Sequence, residues 1–594
     1  MVELVDTRDL KSLGQKWLCG FKSRSRHFKF YMIMRKNLFL SSFAIAMLAM
    51  TSCSKMGPLT ADNFNVTPNP LEAQGGQVTA TINGVFPEKY MKKKAVVTVT
   101  PELRFEGEAV QGQPATFQGE KVRGNDQTIS YKVGGNYTMK SNFQYDPRMR
   151  KSELYLVFDA HIGKKEIEIP AVKVADGVIA TSELYSRTIA NGGASMAEDA
   201  YQRVNEKKQE ARIQFLINQA KIRKEEAKSG SVTDFVNMLK EINRDTEGLN
   251  VKDVEVLAYA SPEGGFDYND KLAKKRQNES EKFVQKQLKE TEVKSDINSK
   301  YTAQDWEGFQ ELVSASDIQD KDLLLRVLSM YSDPEQREEQ IRNMSATFQE
   351  LTDGILPELR RSRLIINYET IGRSDAQILE QFEKDPSQLS VEELLYGATL
   401  VNDADKKEAI YKKATELYPN DARAYSNVAA IEFEKGNDAE AQKYLDKALR
   451  AGDCPEANVN LALIDLRKGD NSQVAARNAE KHIAKAADAK DVNQALGNKY
   501  IAEGKYAQAA DELKNSNNNS EALAYILCKD YAKAQSTLDN VSNKDGMTYY
   551  LMAIVNARQG NKDAAAQALQ TAIKMDQSLA KFAQDDLEFD ILRK

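Results

Sequence analysis

Residues 424–453 read AYSNVAAIEFEKGNDAEAQKYLDKALRAGD. The stretch predicts two helices broken at Gly436, with small residues where the two must lie close: Ala429 on the first, Ala441 and Ala448 on the second. The same signal returns through the C-terminal third. Ala429 with Gly436, Ala462 with Gly469, Gly497 with Gly504 and Ala553 with Gly560 are small-residue pairs, each seven apart. Pro419 lies ten residues before Ala429, where a new repeat is expected to start. Paired helices need small residues where their backbones cross, and neighbouring pairs stack to bury a continuous face.

This pattern resembles the tetratricopeptide repeat. About five copies fit between 390 and 576, one of them shortened around Cys528, with 577–594 left as a C-terminal cap. The resemblance implies a curved helical surface and a protein or peptide partner, here an unidentified envelope protein.

Working outward, residues 211–370 alternate strand and helix patterns. Ile213–Ile217 and Val254–Leu257 are strand-like, residues around Phe235 and Leu239 are helical, and 270–288 form a second helix. A helical insertion covers about 303–356 before Leu364-Ile365-Ile366 returns to strand, which makes an α/β unit. Glu255-Val256-Leu257-Ala258-Tyr259-Ala260-Ser261-Pro262-Glu263-Gly264, followed by Tyr268-Asn269, Leu272 and Arg276, resembles the signature of the OmpA-like domain. Ile213-Gln214-Phe215 and Leu359-Arg360-Arg361 fit the same pattern. The resemblance implies non-covalent grip of the peptidoglycan stem peptide, with a helix Arg on the ligand carboxylate and a loop Asp on its ammonium. Arg276 takes the Arg position, whereas Ser261 stands where the family has Asp, and Glu263 is the nearest replacement for the missing charge. Losing a charged hydrogen bond of about 1.5–3 kcal/mol weakens such binding roughly 10–150-fold. The alternative for Arg276 is a structural residue on a face rich in Lys271, Lys274 and Lys275.

Residues 71–180 change period to two. Val78, Ala80 and Ile82, then Ala95, Val97 and Val99, then Ile129, Tyr131 and Val133, then Leu154, Leu156, Phe158 and Ala160, and finally Ile167 and Ile169 alternate with polar neighbours. Turn residues such as Gly134-Gly135-Asn136 bound them, and the set predicts a β-sandwich acting as a spacer. A charged helical linker is expected over 181–210, after a break at Asn191-Gly192-Gly193.

At the N-terminus, Met34-Arg35-Lys36 precedes 13 largely apolar residues (38–50) and then Thr51-Ser52-Cys53. These are the parts of a secretory signal, too short for a spanning helix. Met50-Thr51-Ser52-Cys53 resembles the bacterial lipobox, departing from it at Met50, which implies a lipid on Cys53, a signal peptide over 34–52 and a polar tether over 53–70. Residues 1–33 have no role in such a signal and are expected to be a misassigned extension.

The whole chain has 594 residues, 82 Lys+Arg, 88 Asp+Glu, 3 His and 4 Cys. A net charge of −6 gives no basic footprint for nucleic acid, and four Cys exclude a disulfide-built scaffold. Cys454 and Cys528 are expected as buried thiols, with pairing as the alternative. His161 and His482 lie in different modules, so no shared metal is expected; no cofactor or catalytic constellation stands out, and a non-enzyme is expected. The expectation is a multidomain chain: an N-terminal β-sandwich, an α/β OmpA-like domain and an all-α tetratricopeptide solenoid. It is expected on the outer membrane, lipid-anchored and facing the periplasm, linking membrane to peptidoglycan. The alternative is an envelope assembly scaffold whose OmpA-like domain no longer binds the wall.

Overall fold

The computed structural model describes residues 56–594 apart from 191, 192, 319, 469, 470 and 594, with 345–347 described by their backbone alone. The lipidation at Cys53, the signal over 34–52 and the extension over 1–33 lie outside the described residues. The chain divides into two compact units. One holds the chain up to Ser195 with Glu432–Leu445 and Cys454–Lys594; the other holds Met196–Ile431 with Asp446–Asp453.

Among the described residues of the first unit, eleven strands form two sheets. They are β1 (Phe64–Thr67), β2 (Ala73–Gln74), β3 (Gln77–Phe86), β4 (Ala95–Phe105), β5 (Glu108–Gln111), β6 (Ala115–Gly119), β7 (Gln127–Ile129), β8 (Gly135–Gln144), β9 (Ser152–Ile162), β10 (Lys165–Ile167) and β11 (Val172–Gly177). β1, β2, β3 and β8 make one sheet, and the other seven make the second, in the order β10-β9-β4-β6-β7 with β5 beside β4 and β11 beside β9. Ala95, Val97, Val99, Leu103 and Phe105 of β4 are buried at alternate positions, in one core with Val78, Ile82, Leu154 and Leu156. Each such aliphatic side chain removed from water contributes roughly 1.5–3 kcal/mol.

Two sequence expectations are corrected here, and one strand is added. The polar tether does not extend to residue 70, because Met56, Leu59, Phe64 and Val66 are buried in the sandwich core. β1 pairs antiparallel with β3 from Phe64↔Gly84 to Thr67↔Thr81, and its polar look comes from Asn65 and Thr67 on the outer face. Strand β8 went unpredicted, since its inward set of Tyr137, Met139, Ser141 and Phe143 mixes apolar with polar residues. Val133, expected in a strand, is 74% exposed in a turn.

In the second unit, β12 (Val204–Gln214), β13 (Leu249–Tyr259), β14 (Ile297–Thr302) and β15 (Arg361–Ile371) form a sheet in the order β12-β15-β13-β14. β13 and β14 run parallel, and the other pairs are antiparallel. Helix Gly230–Arg244 buries Val232, Phe235, Leu239 and Ile242, and helix Phe266–Glu290 buries Leu272, Arg276, Ser280, Val284 and Leu288. These are the i, i+3, i+4 spacings of one helix face. The insertion holds separate helices, among them Trp306–Ala315, Lys321–Met330 and Pro334–Arg342, and keeps its own core of Phe309, Val313, Leu324, Leu328 and Leu351.

The helical linker expected over 181–210 is also corrected. Among the described residues before β12, a 3-10 turn at Thr181–Leu184 and a short helix at Tyr185–Thr188 form, and residues 193–203 are neither helix nor strand. β12 then begins at Val204 and pairs with β15 along its whole length. It lies at the sheet edge, where Glu206, Lys207 and Lys208 stay in water while Ala211 and Ile213 turn inward. Helical charge spacing is overridden there by the pairing partner.

The C-terminal part is all helical and consists of six helix pairs among the described residues, one more than expected. They are Val391–Thr399 with Ala404–Leu417, Ala422–Glu434 with Asp438–Ala451, Pro455–Lys468 with Ser472–Ile483, Val492–Ala502 with Tyr506–Glu512, Asn519–Leu527 with Tyr531–Asn540, and Gly546–Arg558 with Lys562–Met575. Gly436, Gly504 and Gly560 take φ of +82°, +77° and +81° just after the first helix of their pairs, which is the left-handed stop that favours glycine. A methyl group on Gly497 would lie 2.3 Å from Leu513 Cγ, so the crossing with the next helix needs a bare Cα there. In the fifth pair the left-handed stop falls to Lys529, at φ 64°. The cap over 577–594 is present: Phe582 and Phe589 meet the Tyr550 ring edge-on at 5.6 and 5.2 Å. No helix among the described residues is long and apolar enough to cross a membrane.

Candidate functional site

The loop after β13 gathers the residues singled out from sequence. The Ser261 hydroxyl donates to Glu263 Oε1 at 3.0 Å, and the same oxygen accepts from Arg360 Nε and Nη2 at 2.8 and 2.7 Å. Asn269, one turn into the following helix, ties the loop down by donating Nδ2 to the carbonyls of Ser261, Glu263 and Gly264 at 3.0–3.1 Å. The insertion reaches the loop as well, since Glu338 Oε1 accepts the Gly264 N–H at 2.8 Å. Asp305 and Arg361 form a buried pair at 3.0 Å just beyond, where burial pushes the Asp305 carboxyl above its ordinary pKa against the pull of Arg361.

Arg276 is placed differently from the liganding role implied by the resemblance. It is 1% exposed, on the inward row with Leu272, Ser280, Val284 and Leu288, while Lys271, Lys274 and Lys275 face solvent. Its Nε donates to Gln219 O at 3.0 Å, Nη1 to Tyr259 O at 2.8 Å and Nη2 to Leu216 O at 3.3 Å, and the guanidinium lies 5.0 Å from the Phe215 ring centre. Burial, with a smaller push from Arg360, brings its pKa down to about 10, so it stays cationic at neutral pH. Ser261 and Glu263 are thus joined directly, whereas the hydrogen bonds of Arg276 go to the carbonyls of Leu216, Gln219 and Tyr259. Beside the loop, Gly265–Tyr268 and Asp333–Glu335 line an open cleft of about 620 Å³, with Phe266 and Tyr268 about half exposed.

A second constellation was not foreseen. Within each unit, residues following the sandwich are bonded to the helical C-terminal part, some through their backbone and some through side chains. In the first unit, Asn460 Oδ1 accepts the Ser195 N–H at 2.7 Å and its Nδ2 donates to Ser195 O at 2.8 Å. Upstream, the Thr188 hydroxyl accepts from Ser520 Oγ at 3.0 Å, Glu183 bonds Ser472, and Thr181 bonds Glu588. In the second unit, Asn427 Oδ1 accepts the Ala197 N–H at 2.7 Å and its Nδ2 donates to Ala197 O at 2.9 Å. Further on, the Ala200 N–H donates to Glu392 Oε2 at 2.6 Å, and the Tyr201 ring stacks on Tyr396 at 4.8 Å. Burial works against the Glu392 carboxylate, but Arg423 and the Ala200 N–H outweigh it and hold its pKa below the ordinary value. The sequence signal was present: Asn427 and Asn460 are one repeat apart, and Gly193-Ala194-Ser195-Met196-Ala197 is a run of mostly small residues.

Of the remaining sequence candidates, His161 lies on β9, and His482 Nε2 lies 3.6 Å from Asp465, its pKa lowered by burial. Cys454 is a buried thiol that forms no disulfide, whereas Cys528 is exposed, contrary to expectation, because it sits at the end of helix Asn519–Leu527.

Neither a family profile nor a curated protein matches the sequence. Among solved structures, it is similar to a tetratricopeptide repeat protein from Parabacteroides merdae, at 14% identity and a TM-score of 0.26, over 43% of this chain and 97% of that one. It is also similar to YrrB, a tetratricopeptide repeat protein with an unusual peptide-binding site, at 20% identity and a TM-score of 0.18, over 36% of this chain and 99% of that one. Yeast Tom70 is similar at 14% identity and a TM-score of 0.22, over 60% of this chain and 77% of that one. The repeat reading rests on the helix pairs, their small crossing residues and their left-handed glycines.

Proposed function

We propose that this chain is a lipid-anchored, periplasm-facing scaffold of the bacterial outer membrane, whose OmpA-like domain has a structural role and whose repeats engage a protein partner. The carrying observation is the commitment of Arg276 to three backbone carbonyls at 1% exposure. A guanidinium grips a carboxylate by presenting two parallel N–H groups, and one already shared among carbonyls and shielded from water has lost that freedom. The engagement of Glu263 by Arg360 and Ser261 points the same way, since it removes the nearest substitute for the missing loop Asp. The sandwich belongs to the same compact unit as repeats 454–594, with Arg150 3.6 Å from the Phe582 ring and Gln74 donating to Gly504 O at 3.3 Å. That supports a shared body more than a free spacer.

The second reading, a tether to peptidoglycan, is favoured by the open cleft beside the loop, where Asp267, Asp333 and Glu335 offer negative charge to an ammonium group. Co-sedimentation with protein-free sacculi separates the two. The scaffold reading expects no pelleting of the parent, Ser261→Asp or Arg276→Lys. A parent that pellets, with Arg276→Lys folded but left in solution, overturns it. An intact mass starting at a lipidated Cys53 tests the anchor, and hydrolysis of stem peptides by the chain would overturn the reading as a non-enzyme.

A further inference from the structure

The second unit holds residues 197–201 much as a binding protein holds a peptide. Asn427 meets the N–H and the C=O of Ala197 together, Glu392 takes the N–H of Ala200, and Tyr396 receives the Tyr201 ring, whose hydroxyl donates to Arg373 O at 2.5 Å. Arg423 fixes Glu392 through two hydrogen bonds of 2.6 and 3.1 Å, so the acceptor is set in place. Nothing in this constellation requires a regular helix or strand in the held segment, and residues 197–201 form neither. Contacts to main-chain groups read extended shape and the absence of proline, while Ala197 and Ala200 are small enough for the backbone to come close. The first unit repeats the device at Asn460 and Ser195.

We propose that Asn427, Glu392 and Tyr396 form a peptide site that reads an extended small-x-x-small-aromatic segment, and that residues 197–201 are its resident occupant. This rests on the reading that the repeats take a protein partner. It adds the chemistry of that partner and a condition: a segment of the partner enters only by displacing the chain's own. The self-held segment then acts as a gate, since a tethered occupant competes at high effective concentration.

The test uses the full chain and a labelled peptide of residues 196–203, MAEDAYQR. Ala197→Pro with Ala200→Pro removes both N–H groups that the site accepts while leaving the site residues intact. The peptide is expected to bind this variant at least about tenfold more tightly than the parent, and a peptide with Pro in place of its first Ala is expected not to bind. Equal binding to parent and variant overturns the proposal, as does no binding to a variant whose circular dichroism matches the parent. Should the variant fail to fold, amide exchange in the parent decides. The Ala197 and Ala200 amides are expected to exchange at least about 100-fold more slowly than in the free peptide, and exchange at the free-peptide rate overturns the proposal. Pelleting with sacculi would overturn the scaffold reading and leave this result untouched.

Discussion

Asn460 holds Ser195 by both polar atoms of its side chain, accepting the backbone N–H at 2.7 Å and donating to the backbone C=O at 2.8 Å. Ser195 is fully buried, so neither main-chain group has water to fall back on. Replacing Asn460 by Ala leaves both unsatisfied, at about 1–3 kcal/mol each. The expected loss for Asn460→Ala is about 2–4 kcal/mol in urea unfolding of the first unit. Asn460→Asp should lose stability too, because a carboxylate can accept the N–H but repels the carbonyl. If Asn460→Ala unfolds at the parent's midpoint, the bracket is not stabilising.

Arg276→Met keeps much of the volume and removes the donors to Gln219, Tyr259 and Leu216. The expected cost is about 2–4 kcal/mol of stability in the second unit, offset in part by relief of a buried charge. Its neighbour Lys275 is exposed, and Lys275→Met should change stability by less than about 0.5 kcal/mol. Equal effects from the two would show that Arg276 is a surface residue after all.

Lys529 adopts φ 64° where other pairs use glycine. The left-handed conformation costs an L-residue roughly 1–2 kcal/mol, and glycine gives part of that back through its freer unfolded chain. Lys529→Gly should therefore raise stability by about 0.5–1 kcal/mol, seen as a higher thermal midpoint of the first unit. A lower midpoint would mean that the lysine side chain makes a contact worth more than the strain.

Asp586 is buried and accepts from Tyr550 at 2.6 Å; burial, with repulsion from Glu588, pushes its pKa up to about 6. A carboxyl whose pKa is higher folded than unfolded binds more protons in the folded state between about pH 4 and 6. Stability contributed through this group therefore falls as pH rises through that window and levels off above it. Glu183, also raised by burial, adds in the same direction. Melting curves of Asp586→Asn from pH 4 to 7 should show a flatter profile than the parent; an unchanged slope would assign the dependence to other groups.

The sequence conveyed most where structure is local. Gly497 marks a helix crossing because a methyl group is excluded there, and Gly436 and Gly560 mark helix stops because their backbone takes a positive φ, whatever lies far away. β8 escaped because its inward row of Tyr137, Met139, Ser141 and Phe143 mixes apolar with polar residues, and most of β12 escaped because Glu206, Lys207 and Lys208 read as a charged helix until β15 pairs with them. Charge alone does not say which side of a sheet is wet. Arg276 was recognisable as a key position, but its direction was hidden. The row Leu272, Arg276, Ser280, Val284, Leu288 places it inward, and only the neighbouring carbonyls explain why a cation can lie there. The Asn brackets were hidden for a different reason, because their ligand is backbone and backbone leaves no letter in a sequence.

The burial of Met56 in the sandwich core limits how far the body can stand from a membrane. It lies three positions after Cys53, a reach of roughly 10 Å when fully extended. If Cys53 carries the lipid proposed here, the sandwich would ride against the headgroups as a foot, without a swinging leash. Neutron reflectivity on a supported bilayer would then find protein density beginning within the headgroup layer, and lengthening the chain between Cys53 and Met56 by ten flexible residues would lift it away.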